Sequence, residues 1–186
     1  MSFLRKNAVD LSHELIERRV DKTSLVCDLT LGNGHDTLFL AQRAKKVYGF
    51  DIQERALKKT WDRLKAAGLE DKAELFLVSH EAILEKIKDP LDFAIMNLGY
   101  LPGGDKTLIT KPESTLRALE GLSQLLRIGG QGVLVLYRGH PGARKEEEAV
   151  KAFFASLDQD HFICQKISFV NQKNQAPEVF VFEKRC

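Results

Sequence analysis

The stretch Asp28-Leu29-Thr30-Leu31-Gly32-Asn33-Gly34-His35-Asp36-Thr37 decides how this chain is read. It follows the apolar run Leu25-Val26-Cys27 and opens onto Leu38-Phe39-Leu40-Ala41, so it reads as strand, glycine turn and helix. Glycine lets a backbone turn tightly and approach a ligand, and the free N–H groups that open a helix favour an anionic group such as a carboxylate or phosphate. Roughly twenty residues on, Lys46-Val47-Tyr48-Gly49-Phe50 reads as the next strand and delivers Asp51 at its carboxyl end, where an acid accepts hydrogen bonds from ribose hydroxyls. Gln53 follows on the same ribose and adenine side. The expected ligand is nucleotide-like.

The glycine spacing then separates two ligand classes. A dinucleotide site needs G-x-G-x-x-G so that a pyrophosphate can lie on the backbone, yet Gly32-Asn33-Gly34 runs into His35, Asp36 and Thr37. Carboxylates at Asp28 and Asp36 repel a pyrophosphate but suit a ligand with a cationic amino-acid end and a ribose. S-adenosylmethionine is such a ligand, with Asp28, Thr30, Gly32, Asn33, Gly34, Asp36 and Thr37 expected around its methionine end. The competing reading makes the glycine turn a tight strand-to-helix connection and nothing more.

Composition bounds the rest. At 186 residues the chain is expected to form one domain, and 44% hydrophobic with 29% charged residues are ordinary globular values. No apolar run approaches the roughly 20 residues a membrane span requires, and the segment Met1-Ser2-Phe3-Leu4-Arg5-Lys6 lacks a secretory core, so a cytoplasmic protein is expected. Cys27, Cys164 and Cys186 are an odd number without C-x-x-C or Cys/His clustering, which argues against a disulfide frame or a structural metal. A net charge of +2 does not separate an RNA binder from another enzyme, because a phosphate-binding patch can be local.

Along the chain, Leu11, Leu15 and Ile16 mark an amphipathic opening helix, and strands centre on Val26, Val47, residues 75–78, residues 93–96 and residues 133–137. Helices fall between them: residues 54–67, ended by Gly68; a segment opened by Thr110-Lys111-Pro112-Glu113, where Thr110 and Glu113 match a capping box; and residues 143–157. Two β-rich runs around residues 161–170 and 177–183 then form an antiparallel hairpin. The expected fold is α/β: a mainly parallel seven-stranded sheet with helices on both faces and a C-terminal antiparallel hairpin, the arrangement of Rossmann-like class I methyltransferases.

The fourth strand ends in Met96-Asn97-Leu98-Gly99-Tyr100-Leu101-Pro102-Gly103-Gly104-Asp105-Lys106. Asn97-Leu98-Gly99-Tyr100 resembles the Asn-Pro-Pro-Tyr motif of enzymes that methylate exocyclic amines. A neutral amine attacks a sulfonium methyl in line, so it needs acceptors that aim its lone pair; the Asn97 oxygen and the Leu98 carbonyl supply them and Tyr100 offers a stacking face. His80 and Glu81, after the third strand, are expected to border adenine. Lys106, Lys111, Arg138 and His140 are expected to meet RNA phosphate or orient the substrate. His13 is read as a partly buried helix histidine. Methylation at pyrimidine C5 is disfavoured, because Cys27 lies within a strand and no cysteine flanks Asn97.

With these residues in view the chain resembles the small bacterial family labelled "putative rRNA methylase", whose members are associated with methylating 5-aminomethyl-(2-thio)uridine at the tRNA wobble position. The resemblance spans the opening helix with His13, the run from Asp28 to Thr37, Asn97 to Asp105, Tyr137 to Gly142 and the Asn171-Gln172 tail. It implies methyl transfer from S-adenosylmethionine to the primary amine of an already modified uridine, with a tRNA anticodon loop as partner, no metal and no membrane; a homodimer is left open. An rRNA substrate, a small-molecule substrate and a non-catalytic RNA-binding protein of the same fold are the alternatives.

Overall fold

The computed structural model describes residues 7–99, 109–139, 142–173 and 175–186. Their order is α1 (Ala8–Arg19), β1 (Leu25–Asp28), α2 (His35–Ala41), β2 (Lys46–Asp51), α3 (Glu54–Ala66), β3 (Ala73–Leu77), α4 (Ile83–Lys86), β4 (Leu91–Leu98), α5 (Pro112–Leu125), β5 (Leu126–Leu136), α6 (Ala143–Ser156), β6 (Phe162–Ile167) and β7 (Glu178–Lys184). One sheet joins all seven strands in the order β3-β2-β1-β4-β5-β7-β6. The first five run parallel, and β7 inserts antiparallel between β5 and β6. The expected architecture is the observed one.

Strict alternation along the strands builds two cores. Val26, Val47, Phe93, Ile95, Val133, Val135, Val179 and Val181 face one layer, where they meet Ala8 and Ile16 of α1, Leu40 of α2 and Leu64 of α3. Their neighbours Cys27, Tyr48, Ala94, Met96, Leu134, Leu136, Phe180 and Phe182 face the other, against Leu119 of α5 and Phe154 of α6. Valine and isoleucine predominate among the strand residues of the first layer, while aromatic and leucine side chains are more frequent in the second, where Phe154 stacks on Phe180 at 5.2 Å between centroids. Such period-two burial on both faces requires helices on both.

The chain winds outward from β1 through β2 to β3, then returns to place β4 on the other side of β1. That reversal opens a crevice at the carboxyl ends of β1 and β4, the switch point where ligands of doubly wound sheets bind.

One local expectation is corrected. Helix α5 starts at Pro112, so Lys111 is its N-cap and no side chain caps it. Thr110 lies one residue too early for the capping box, and its hydroxyl donates instead to the buried Glu146 carboxylate at 2.8 Å. No helix among the described residues is long and apolar enough to cross a membrane.

Candidate active site

A cleft of about 1080 Å³ opens at the carboxyl ends of β1, β2 and β4. Its floor is the loop after β1, and hydrogen bonds explain the loop's shape. Leu29 N–H reaches the Ile95 carbonyl of β4 and Leu31 N–H the Phe50 carbonyl of β2, so the loop continues both ladders before it turns. The Thr30 hydroxyl then accepts the Asn97 N–H at 2.7 Å, fastening the loop to the end of β4.

The three acids of the sequence motif have three different tasks. Asp28 is fully buried and does not line the cleft. Its carboxylate accepts the Thr30 N–H at 3.1 Å and the Thr37 hydroxyl at 2.6 Å, so Asp28 and Thr37 brace the loop from behind. Burial, with the charge of Asp36 added, pushes the Asp28 pKa up to about 7. Asp51 lines the cleft, and its two oxygens accept the Gly32 N–H at 3.0 Å and the Gln53 N–H at 2.9 Å. Burial raises its pKa above the ordinary carboxylate range, while those N–H groups pull the other way. Asp36 also lines the cleft, in the first turn of α2.

Gly34 is required by packing. It has φ +76°, caps α2, and a Cβ there would lie 2.8 Å from the Thr60 Cα on α3. Asn33 faces the cleft while its side-chain oxygen accepts from Lys59 and its carbonyl from Arg63.

Asn97 stands between the loop and the cleft. Its Nδ2 donates to Asp36 Oδ2 at 2.9 Å, and because a carboxylate only accepts, the amide is oriented with Oδ1 left as the acceptor. The Leu98 carbonyl, expected as a second acceptor, takes the Tyr137 N–H at 3.1 Å and keeps one lone pair. Gly99 N–H donates to the Thr110 hydroxyl and Thr110 N–H to the Gly99 carbonyl, both at 3.0 Å, so these two residues clasp each other over Glu146. Tyr100, Lys106 and His140 lie outside the described residues.

At the far end His80 is 9% exposed, its pKa pushed down to about 4 by burial. Its Nε2 is buried and has no hydrogen-bond partner among the described residues. Glu81 lines the cleft beside it and pairs with Arg117 at 2.5 Å. Ile52, more than half exposed, supplies an apolar wall next to Asp51.

Lys111 and Arg138 lie at the mouth. Arg138 shares its charge with Glu147 at 3.2 Å and Glu178 at 3.8 Å, an arrangement the sequence did not signal. None of the three cysteines lines the cleft, and burial holds the Cys27 thiol well above its ordinary range, so no nucleophilic thiol faces it. Two site features escaped the sequence reading: the Thr110 clasp, and His13, whose Nε2 lies 2.7 Å from Asp36 Oδ1.

The chain is similar to known methyltransferases. A family profile described as "Putative rRNA methylase" matches residues 47–183. The chain is 36% identical, over 98% of its length and 71% of the relative's, to the chloroplastic tRNA (mnm(5)s(2)U34)-methyltransferase of Arabidopsis thaliana. It superposes with TM-score 0.94 and 37% identity on a putative rRNA methylase from Clostridium thermocellum, covering 98% of this chain and all of that one. A putative methyltransferase from Streptococcus mutans, solved in complex with SAH, gives TM-score 0.91 and 39% identity over 97% of this chain and 99% of its own.

Proposed function

The chain belongs to the putative rRNA methylase family, and from that premise we propose that it methylates the primary amine of 5-aminomethyl-(2-thio)uridine at the tRNA wobble position, giving 5-methylaminomethyl-(2-thio)uridine. The cofactor is S-adenosylmethionine, which when bound supplies an electrophilic methyl on a cationic sulfonium. The cleft suits it. Asp51 presents a preorganised carboxylate to ribose hydroxyls with Gln53 beside it, and Ile52 offers an apolar face to the base. Asp36, which lines the cleft at the loop, favours a cation there over a pyrophosphate.

The observation that carries the amine reading is the orientation of Asn97. Its N–H groups face Asp36, so its oxygen is the group left to accept from a substrate N–H and aim the nitrogen lone pair. Attack on the methyl releases a neutral thioether, so the chain has to orient an amine and exclude water, with no leaving group to protonate.

Size and access favour a large substrate. Ligand pockets run to about 1,000 Å³, and this cleft at about 1080 Å³ holds a nucleoside cofactor with room for a base beside it. A wobble base lies in a single-stranded loop and can be splayed out. Lys111 and Arg138, which line the cleft, would meet its flanking phosphates; Lys106 and His140, expected in the same role, lie outside the described residues. Nucleoside mass spectrometry of tRNA from cells lacking the protein tests the reading. Accumulation of the 5-aminomethyl nucleoside at the expense of its methylated form supports it; unchanged tRNA with a methyl missing from rRNA overturns it.

A further inference from the structure

Two donors from different parts of the chain converge on one carboxylate. His13 Nε2, from α1, lies 2.7 Å from Asp36 Oδ1, and Asn97 Nδ2, from the end of β4, donates to Oδ2 at 2.9 Å. The imidazole is itself clamped: it stacks on Phe39 with centroids 3.9 Å apart and planes 12° from parallel, and the Arg43 guanidinium lies 3.6 Å from the same ring, held by Glu17 at 3.0 Å. Imidazole and guanidinium so close to one ring must occupy its opposite faces. A carboxylate has about four acceptor positions, of which these contacts use two, and Asp36 lines the cleft with 18% of its side chain exposed. His13 does not line the cleft; Val9, one turn earlier on α1, does.

The proposed substrate makes a demand that such a carboxylate meets. A primary alkylamine carries a proton near neutral pH, as the lysine side chain does with its pKa of roughly 10.4. Its lone pair is unavailable until that proton leaves. We propose that Asp36 is a catalytic residue on the substrate side of the cleft, receiving the ammonium group and taking its proton before methyl transfer, with His13 the positioning residue that fixes the carboxylate. This rests on the amine-methylation reading and departs from the expectation that Asp36 serves the cofactor's methionine end.

The balance is simple. The ammonium gives one proton to Asp36; its freed lone pair forms the C–N bond as the C–S bond breaks, and that electron pair stays on sulfur. The product leaves as a secondary ammonium, and Asp36 returns its proton to water. Asn97 serves both partners, its N–H groups toward Asp36 and its oxygen toward the amine. Tyr137 borders the same space, but burial and the charge of Asp36 raise its phenol above the ordinary value, so it stays protonated and does not act as the base. The charged and titratable groups facing the pair are Asp28 from β1, Tyr137 after β5, and Arg43 with Glu17 across Phe39 from His13.

The test is single-turnover methyl transfer at saturating S-adenosylmethionine and saturating tRNA bearing 5-aminomethyluridine, over a range of pH. Asp36→Asn should lower the rate roughly a hundredfold near neutrality, with the deficit shrinking about tenfold per pH unit as the medium deprotonates the amine. Cofactor affinity by calorimetry should change less than about threefold, against the tenfold that a lost 1.4 kcal/mol would give. His13→Ala should lose about tenfold with the same pH signature, and His13→Gln, whose Nε2–H reaches the same carboxylate, should recover most of it. An Asp36→Asn protein with weakened cofactor binding and an intact saturating rate would return Asp36 to the cofactor. A deficit equal at every pH would make the pair structural. A wild-type protein that binds cofactor but methylates a different nucleoside would instead overturn the functional reading itself.

Discussion

Replacing Asp28 by asparagine should change how stability depends on pH while leaving ligand binding nearly intact. Asp28 is wholly buried, and its pKa is raised by burial to about 7 from the ordinary 3.8. A folded acid with a raised pKa binds its proton more tightly than the unfolded chain does. Its contribution to stability is therefore full below about pH 4 and is lost as pH rises toward 7. At roughly 1.4 kcal/mol per pH unit, the interval from 3.8 to about 7 is worth ~4 kcal/mol, of which ~2–3 kcal/mol falls between about pH 5 and 8. Asparagine removes the titration and keeps the shape: its oxygen still accepts the Thr30 N–H, and its amide donates to the Thr37 hydroxyl, reversing that bond. Urea unfolding at a series of pH values reads the difference. Wild-type stability should fall by ~2–3 kcal/mol more than that of Asp28→Asn across that interval. Parallel curves would show that Asp28 is ionised throughout and that the burial argument is wrong. A loss of S-adenosylmethionine affinity beyond about tenfold, or ~1.4 kcal/mol, would refute its placement behind the loop.

The other variants probe the loop, the cofactor end, the amine and the mouth. Gly34→Ala forces a left-handed φ on a residue with a Cβ and drives that atom against the Thr60 backbone, so thermal melts should show a loss of about 2–4 kcal/mol. Asp51→Ala removes an acceptor held by Gly32 and Gln53 and should weaken S-adenosylmethionine by one to two orders of magnitude, about 1.5–3 kcal/mol in calorimetry, with the fold retained. Asn97→Ala should slow single-turnover methyl transfer roughly a hundredfold with little change in tRNA affinity. Arg138→Ala removes a cation from the cleft lining while Lys151 and Lys166 still pair with Glu147 and Glu178, so filter binding should show weaker tRNA affinity and a salt dependence shallower by about one counterion, with the saturating rate barely altered.

The sheet was legible in the sequence because its strands carry their own pattern. Val133 through Leu136 and Val179 through Phe182 alternate between the two cores, and the polar stretch after Val170 announces the antiparallel return. Asp51 was legible for the same reason, since a strand of known length delivers its last residue to a known edge. Asp28 and Gly34 were found as motif members, but the protein contacts they make were not legible. Whether an acid faces the ligand or braces the loop depends on burial, and the need for Gly34 comes from Thr60, which approaches only once α2 and α3 pack. His13 gave no local signal, because its partner is 23 residues away and its ring is clamped by Phe39 and Arg43 from another helix and loop. Thr110 misled: Pro112 fixed the helix start, and the capping side chain was claimed by a glutamate 36 residues on.

The most direct measurement is nucleoside mass spectrometry of tRNA bearing 5-aminomethyl-2-thiouridine after incubation with the purified protein and methyl-labelled S-adenosylmethionine. The account predicts that the label appears in one nucleoside, the wobble uridine, as its 5-methylaminomethyl derivative, and that tRNA lacking the aminomethyl group gains none. Label on a guanine, on a uridine ring carbon, or on rRNA in preference to this tRNA would contradict it.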